Sequence, residues 1–346
     1  MTVFNRTEFD NHENVVFCAD KETGLKAIIA VHSTKLGPAV GGCRLWDYAS
    51  DEDAVYDVLR LSKGMTYKNA VARLPFGGGK SVIIGNAKEI KSDALFKAFG
   101  RHLERLGGSY YSAEDVNITC DDVAVMNTET NYVLGLEGKS GNPSPFTALG
   151  TFLGIKAAYQ HKHGHQDLAG VKVSVQGLGA VSYTLCKYLH EAGAELFVTD
   201  INEERVSRVV NDFNATAVNI DEIYDLDVDV YAPCALGATI NDETIPRIKA
   251  GIIAGCANNQ LAEPRHGEIL REKGILYAPD YVINAGGIIN VYYETAPEGY
   301  SAEAATKHVE GIFDTLSEIF KRSEDEQKST HIIADELAQE IIENGL

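Results

Sequence analysis

Positive charge is in short supply in this chain: 31 Lys and Arg face 50 Asp and Glu, a formal charge of −19 at pH 7. Nucleic acids and anionic membrane surfaces are held by basic patches, so this balance argues against both as partners. Long apolar runs are missing too. The polar opening, with Arg6, Glu8, Asp10 and Glu13, lacks the apolar core of an export signal, and no later stretch reads as a membrane span. Six cysteines (Cys18, Cys43, Cys120, Cys186, Cys234, Cys256) include no C-x-x-C pair. Without an export signal they read as reduced, mostly buried thiols of a cytoplasmic protein. There is no internal repeat and no low-complexity tract. What remains, 346 residues at 45% hydrophobic, is enough for two domains, each with its own core.

The stretch 64–80 carries the strongest chemical signal. It sets Lys68 and Lys80 among small and apolar neighbours, with Gly77, Gly78 and Gly79 directly before the second lysine. Glycines remove side-chain bulk, so another backbone or a small molecule can approach the Lys80 amine. Burial and a second cation both disfavour an ammonium, which is how a lysine becomes a general base near neutral pH. The other lysine can stay charged and hold a carboxylate. A Gly-rich surface turn beside a lysine is the plainer alternative. Gly79-Lys80-Ser81 also imitates the end of a phosphate-binding loop, but that loop's first glycine would fall at Leu74. Pro75 follows and has no amide to offer a phosphate, which excludes the triphosphatase reading.

Residues 1–140 alternate strand-like and helix-like segments, the pattern of an α/β domain. Strands are expected over 25–32, 38–46 and 81–84, and helices over 51 to about 65, capped by Ser50, and over 93–106. Turn formers at 138–145 mark a boundary, followed by a helix from Thr147. The second domain, 141–324, opens with the β-branched run 171–175, then Gly177-Leu178-Gly179, a helix to about 192, a strand at 195–199, and Asp200. This strand–turn–helix–strand order is the context in which a G-x-G motif cradles a pyrophosphate at a helix N-terminus. Ser182 replaces the third glycine. Asp200 lies 21 residues past Gly179, as a carboxylate on ribose hydroxyls should, and it repels a 2′-phosphate, favouring NAD over NADP. Further strands are expected at 229–234, 252–256 and 281–284. Their ends place Cys234, Ala235, Asn258, Asn259 and Asn284 where ligands bind doubly wound sheets. Gly286 and Gly287 read as a turn. Helices over 306–322 and 332–342 follow, and the residues from about 325 to 346 can return to the first domain. The histidines of 161–165 lack a carboxylate or cysteine to complete a metal cage, so no metal site is expected.

Motifs from both domains, taken together, resemble the leucine/phenylalanine/valine dehydrogenase group of the amino-acid dehydrogenase superfamily. They are 37–42 (GPAVGG), 64–69 (GMTYKN), 77–80 (GGGK), 113–115 (AED), 140–145 (SGNPSP), 177–179 (GLG), 258–260 (NNQ) and 278–287 (APDYVINAGG). The resemblance implies a substrate domain joined to a doubly wound Rossmann domain, with the active site in the cleft between them. It implies NAD-dependent, reversible oxidative deamination of an L-amino acid to a 2-oxo acid and ammonia, by a homo-oligomer. Lys80 would be the general base and Asp115 would hold the α-amino group and pass protons. Lys68 would bind the substrate carboxylate with Asn259 and the Gly41-Gly42 backbone. Thr147, Gly177, Gly179, Asp200, Cys234, Ala235, Asn258 and Asn284 would hold the cofactor. The side-chain pocket would be lined by Val40, Met65, Ala113, Ile288 and Val291. All five are apolar, so a charged side chain would be buried unpaired. Ala113 stands where phenylalanine-preferring relatives tend to have glycine, which points to leucine, valine and isoleucine. An aromatic-amino-acid dehydrogenase, or an NAD-binding regulatory protein without catalysis, are the alternatives.

Overall fold

The computed structural model describes residues 3–136 and 138–346, and the chain divides into two compact units. The first comprises the residues up to Gly141, Val291–Tyr300 and Ala338–Leu346; the second, Asn142–Asn290 and Ser301–Leu337. Among the described residues no helix is long and apolar enough to cross a membrane.

In the first unit the chain runs β1 (Asn14–Asp20), β2 (Leu25–Ser33), β3 (Ala39–Val40), β4 (Cys43–Trp46), α1 (Asp51–Val71), β5 (Gly77–Ile84), α2 (Ala87–Ile90), α3 (Asp93–Glu104), β6 (Tyr110–Tyr111) and α4 (Cys120–Asn127). The strands form one mixed sheet in the order β1-β2-β5-β3-β6, with β4 also paired to β5. Strand alternation feeds two cores, one on each face. Ile29, Val31 and Ile83 pack with Phe96, Phe99 and Tyr110, while Ile28, Ala30 and Val82 pack under Val55, Val58 and Leu59 of α1. The Ser50 hydroxyl caps α1 by accepting the Asp53 N–H, and Asp51, Glu52 and Asp53 face the positive end of the helix.

Three local expectations change here. The helix expected to stop near Met65 continues through Gly64 to Val71, which puts Lys68 in its last turn. The strand expected to begin at Ser81 begins at Gly77, so the three glycines are sheet residues rather than a turn. The segment 38–46 is two strands broken at Gly41-Gly42. In the last two, other backbone presses on the glycines. A β-carbon on Gly78 would lie 2.0 Å from the Thr66 amide nitrogen, and one on Gly41 1.9 Å from the Gly79 carbonyl oxygen.

The second unit runs α5 (Ser144–His163), β7 (Lys172–Gln176), α6 (Ala180–Glu191), β8 (Glu195–Thr199), α7 (Glu203–Phe213), β9 (Thr216–Ala217), β10 (Val230–Pro233), β11 (Ile252–Ile253), α8 (Arg265–Glu272), β12 (Leu276–Tyr277), α9 (Asp280–Ile283), α10 (Gly286–Tyr292, whose last residues belong to the first unit), α11 (Ala302–Glu326) and α12 (Thr330–Asn344). Its sheet is wholly parallel, in the order β12-β11-β10-β7-β8-β9. Strand order reverses between β7 and β10, the position where doubly wound sheets bind ligands. The expected strand at 281–284 is instead the short helix α9, with Asn284 at its C-terminal end and the strand displaced to 276–277. The Pro279 carbonyl accepts from both Val282 and Ile283, which turns the apolar run into a helical turn. Gly286 and Gly287 begin a helix rather than form a turn.

The segment 291–300, assigned by sequence to the second domain, lies with the first unit. The Glu294 carboxylate accepts the Gly135 N–H at 2.9 Å and the Ser140 hydroxyl, and Tyr292 packs edge-on against Phe76. The C-terminal return is also shorter than the expected 325–346. It begins at Ala338, within α12, where the Gln339 amide donates to the Tyr67 hydroxyl at 2.8 Å.

Candidate functional site

In the first unit the chemistry gathers where β5, β4, the 113–116 segment and α1 meet. Lys80 stands in β5, a strand paired on both sides, with its side chain 7% exposed. Its Nζ lies 2.7 Å from Oδ2 of Asp115. Burial pushes the Asp115 carboxyl up, but the charges of Lys80 and Arg44, with the Val116 N–H, outweigh it and hold the group below the ordinary carboxylate value. The Lys80 ammonium thus has a carboxylate as its partner.

Glycines make the approach possible. A β-carbon on Gly42 would lie 2.9 Å from Asp115 Cβ and 2.4 Å from the Glu114 carbonyl oxygen. One on Gly41 would lie 3.0 Å from Met65 Cγ. The Tyr110 hydroxyl donates to the Gly41 carbonyl at 2.6 Å, and the Cys43 N–H donates to the Ala113 carbonyl at 2.8 Å. Gly41, Gly42, Met65, Ala113, Asp115 and Lys80 are thereby brought together. Val40 is fully buried in β3, paired with Gly78 and Tyr111. Lys68 is half-buried on α1, two residues past the Thr66–Gly78 contact. Val291, at the end of α10, belongs to the first unit, and Ile288 lies one turn earlier in the same helix, in the second.

Sequence reasoning passed over Arg44. Its Nε lies 3.3 Å from Asp115 Oδ2 and its Nη1 2.8 Å from Asp57 Oδ2. An arginine alternating with buried Cys43 and Leu45 in a short strand was the available signal.

Most of the residues expected to hold a dinucleotide lie after the parallel strands of the second unit, with Thr147 on α5. Gly177, at φ 94°, leaves β7, and its amide donates to the Thr199 carbonyl at 2.8 Å. A β-carbon there would lie 2.6 Å from that of Ala235, so only glycine lets β7 and the end of β10 converge. Gly179 opens α6, and buried Ser182 fills the position of the missing third glycine. Asp200 Oδ2 accepts the Leu178 N–H at 2.6 Å, tying the acidic residue to the glycine turn, with Arg205 at 3.9 Å. Cys234 follows β10. Asn258 and Asn259 are exposed after β11, Asn259 in the left-handed region at φ 52°. Asn284 Nδ2 donates to Asn258 Oδ1 at 2.7 Å and to the Cys256 carbonyl at 3.2 Å. Its Oδ1 is buried with no donor in reach, so it lacks the kind of partner a carboxamide N–H supplies. Thr147, in the first turn of α5, stands against Gly287, where a β-carbon would lie 2.9 Å from its hydroxyl. The orphaned oxygen and the cradle at Gly177 fit a nicotinamide dinucleotide.

One trio among the described residues, Asp242, Glu263 and His266, has metal-ligand spacing. Arg265 already holds both carboxylates, through Nη1 to Asp242 at 2.8 Å and Nε to Glu263 at 2.8 Å. The His266 Nδ1 accepts the Glu263 N–H at 3.0 Å, which places its proton on Nε2, facing Asp242. The trio is an ion-paired cluster of two exposed carboxylates and one buried histidine. His161 and His163 lie in the last turn of α5, which Gly164 ends in the left-handed conformation.

Two family models match the chain: Glu/Leu/Phe/Val dehydrogenase, dimerisation domain, over residues 12–135, and Glutamate/Leucine/Phenylalanine/Valine dehydrogenase over 197–340. The chain is 54% identical to leucine dehydrogenase of Bacillus cereus over 99% of its own length and 94% of the relative's. It is 50% identical to L-tryptophan dehydrogenase of Nostoc punctiforme, covering 100% and 97%, and 46% identical to phenylalanine dehydrogenase of Bacillus thermotolerans, covering 93% and 86%. The crystal structure of the Nostoc enzyme superposes with a TM-score of 0.86 over 96% of both chains.

Proposed function

The chain belongs to the Glu/Leu/Phe/Val dehydrogenase family, and on that premise we propose that it catalyses the reversible oxidative deamination of branched-chain L-amino acids, leucine with valine and isoleucine, using NAD. An L-amino acid, NAD and water give a 2-oxo acid, ammonium, NADH and a proton. The observation that most supports this reading is the pair of buried Lys80 and partly buried Asp115, 2.7 Å apart.

In this reading NAD, when bound, would supply the hydride acceptor for oxidation at the substrate α-carbon. Its holders are the turn at Gly177 and Gly179, the N-terminus of α6, Asp200 at the ribose and Asn284 at the carboxamide, joined by Thr147, Cys234, Ala235 and Asn258. Lys68 receives the substrate carboxylate, assisted by Asn259 and by the backbone of Gly41 and Gly42. Asp115 accepts hydrogen bonds from the α-amino group and stabilises the positive charge that grows on it as the hydride leaves. Lys80 takes a proton from the water that attacks the resulting imino acid, and Asp115 passes to the departing amine the proton it took earlier from the substrate ammonium group. The apolar lining of Val40, Met65, Ala113, Ile288 and Val291 excludes a charged side chain, because nothing there would pair with it. One methylene is worth only about 1–3 kcal/mol of discrimination, so activity spreads over the three branched substrates.

A second reading, an aromatic substrate, is favoured by the 50% identity to a tryptophan dehydrogenase. NADH formation at alkaline pH with leucine, valine, isoleucine, phenylalanine, tryptophan and glutamate, beside a Lys80→Ala variant, separates the two. Fastest turnover of the branched substrates, abolished in the variant, is the expected result. Phenylalanine or tryptophan clearly ahead would replace the branched-chain assignment. The matched dimerisation domain supports a homo-oligomer, which light scattering tests.

A further inference from the structure

The acid–base pair does not stand alone. Both Lys80 Nζ and Arg44 Nε address the same atom, Asp115 Oδ2, at 2.7 and 3.3 Å. The other edge of the Arg44 guanidinium is occupied: Nη1 meets Asp57 Oδ2 at 2.8 Å. Asp57 is itself fixed, accepting the Tyr48 hydroxyl at 2.7 Å and Arg60 Nη2 at 3.1 Å. Asp57 and Arg44 are mostly buried, with side chains 13% and 21% exposed. Burial and the neighbouring Asp57 raise the Tyr48 pKa, so its hydroxyl stays a donor to that carboxylate. Arg44 comes from β4, in register with Val82 beside Lys80's own strand, and Asp57 comes from α1.

A guanidinium is planar and presents donors along two edges at once, so it can hold two carboxylates in a fixed relation; an ammonium is a point charge and cannot. We propose that Arg44, oriented by Asp57 and Tyr48, is a positioning residue for the deamination chemistry, locking the Asp115 carboxylate in the orientation that meets Lys80. The proposal rests on the reading of Lys80 and Asp115 as the acid–base pair. Asp115 lies in the segment between β6 and α4, where the Val116 N–H also reaches its carboxylate. Lys80 supplies one contact, but that contact must be remade whenever Lys80 carries or gives up a proton. Arg44 stays charged throughout, and it holds the carboxylate while its partner cycles.

The test uses the full chain and compares Arg44→Met, Arg44→Lys, Asp57→Asn, Asp115→Asn and the double variant Arg44→Met/Asp115→Asn. Rates with leucine and NAD are read beside thermal melting. Arg44→Met is expected to lower kcat roughly ten- to a hundredfold, the scale of a misplaced reacting group, with KM for NAD unchanged. Arg44→Lys should recover only part of the loss, and Asp57→Asn should lose less than Arg44→Met. In the Asp115→Asn background, Arg44→Met should cost less than twofold, because its role passes through that carboxylate. An equal loss in both backgrounds, or wild-type kcat in Arg44→Met despite a lowered melting temperature, would overturn the proposal and leave Arg44 a structural tie. If Arg44→Met does not fold, Arg44→Lys and Asp57→Asn carry the decision, and wild-type kcat in both overturns it. Wild-type kcat in Asp115→Asn alone would instead sink the acid–base reading beneath it.

Discussion

Thr66 of α1 lies on Gly78 of β5 so closely that a β-carbon at 78 would also stand 2.1 Å from the Thr66 hydroxyl. Helix and strand touch backbone to backbone there, two residues before Lys68 on the helix and two before Lys80 on the strand. The spacing of the two lysine backbones is therefore set by main-chain contact.

Gly78→Ala should break that arrangement. The added methyl has no flexible neighbour to displace, since its nearest contact is the Thr66 amide, so α1 must move off the sheet. Overpacking of this kind costs about 1–3 kcal/mol, and the displacement should cut turnover at least as sharply as stability. Urea unfolding and leucine kinetics on the same preparation check both. A variant with native midpoint and native kcat would show that the contact yields without consequence.

Removing the proposed acid–base pair should leave the proposed cofactor site intact. Lys80→Ala and Asp115→Asn are each expected to lower kcat by roughly 10²–10⁴-fold. NADH binding, followed by its fluorescence, should stay within a small factor of wild type. Loss of binding together with turnover would mean that these residues serve folding rather than chemistry.

Pocket volume gives a separate handle. Ala113→Gly removes one methyl from the expected lining and should raise kcat/KM for phenylalanine relative to leucine by about tenfold, within the roughly 1–3 kcal/mol available from such a change. Competition assays with the two amino acids read the ratio directly. An unchanged ratio would remove Ala113 from the set that chooses the substrate.

Acid should destabilise the first unit before it titrates the ordinary carboxylates. Burial, and next the neighbouring His32, lower His12 from 6.5 to about 4, and burial lowers His32 as well. His12 Nε2 faces the Leu59 carbonyl at 3.2 Å, so it carries the proton, and buried Nδ1 has no partner that could receive a second one. The unfolded chain then binds more protons than the folded one between these values. Stability is full above about pH 6.5 and falls as pH drops toward 4, by on the order of 3 kcal/mol from His12 alone. Melting temperatures from pH 7 to 4.5 should trace this slope, and His12→Gln should flatten it. A slope unchanged in the variant would assign acid sensitivity elsewhere.

Regular elements with clear periodicity were legible in the sequence: β2, α3, β8 and the turn at Gly177 fall where alternation, caps and glycine spacing place them. Less legible was anything decided by a distant neighbour. Gly77, Gly78 and Gly79 look like a turn because nothing local records that Ser33, Thr66 and Tyr110 press on them. The run 281–283 is too short for its apolar residues to distinguish helix from strand, and Pro279 decided it. Asp115 and Lys80 could be named through family motifs, yet their partner Arg44 could not, because its meaning depends on Asp57 arriving from another element.

A residue on a strand paired along both edges cannot shift without carrying the sheet with it, and Lys80 is such a residue. Met65 on α1 and Ala113 in the segment after β6 are not sheet residues, so their side chains can be exchanged without moving a strand. On the proposed roles, reaction and preference thus rest on different elements. A lineage can exchange its substrate by small steps at the walls while inheriting one untouched chemical act, much as relatives between 46% and 54% identical carry the names of phenylalanine, tryptophan and leucine.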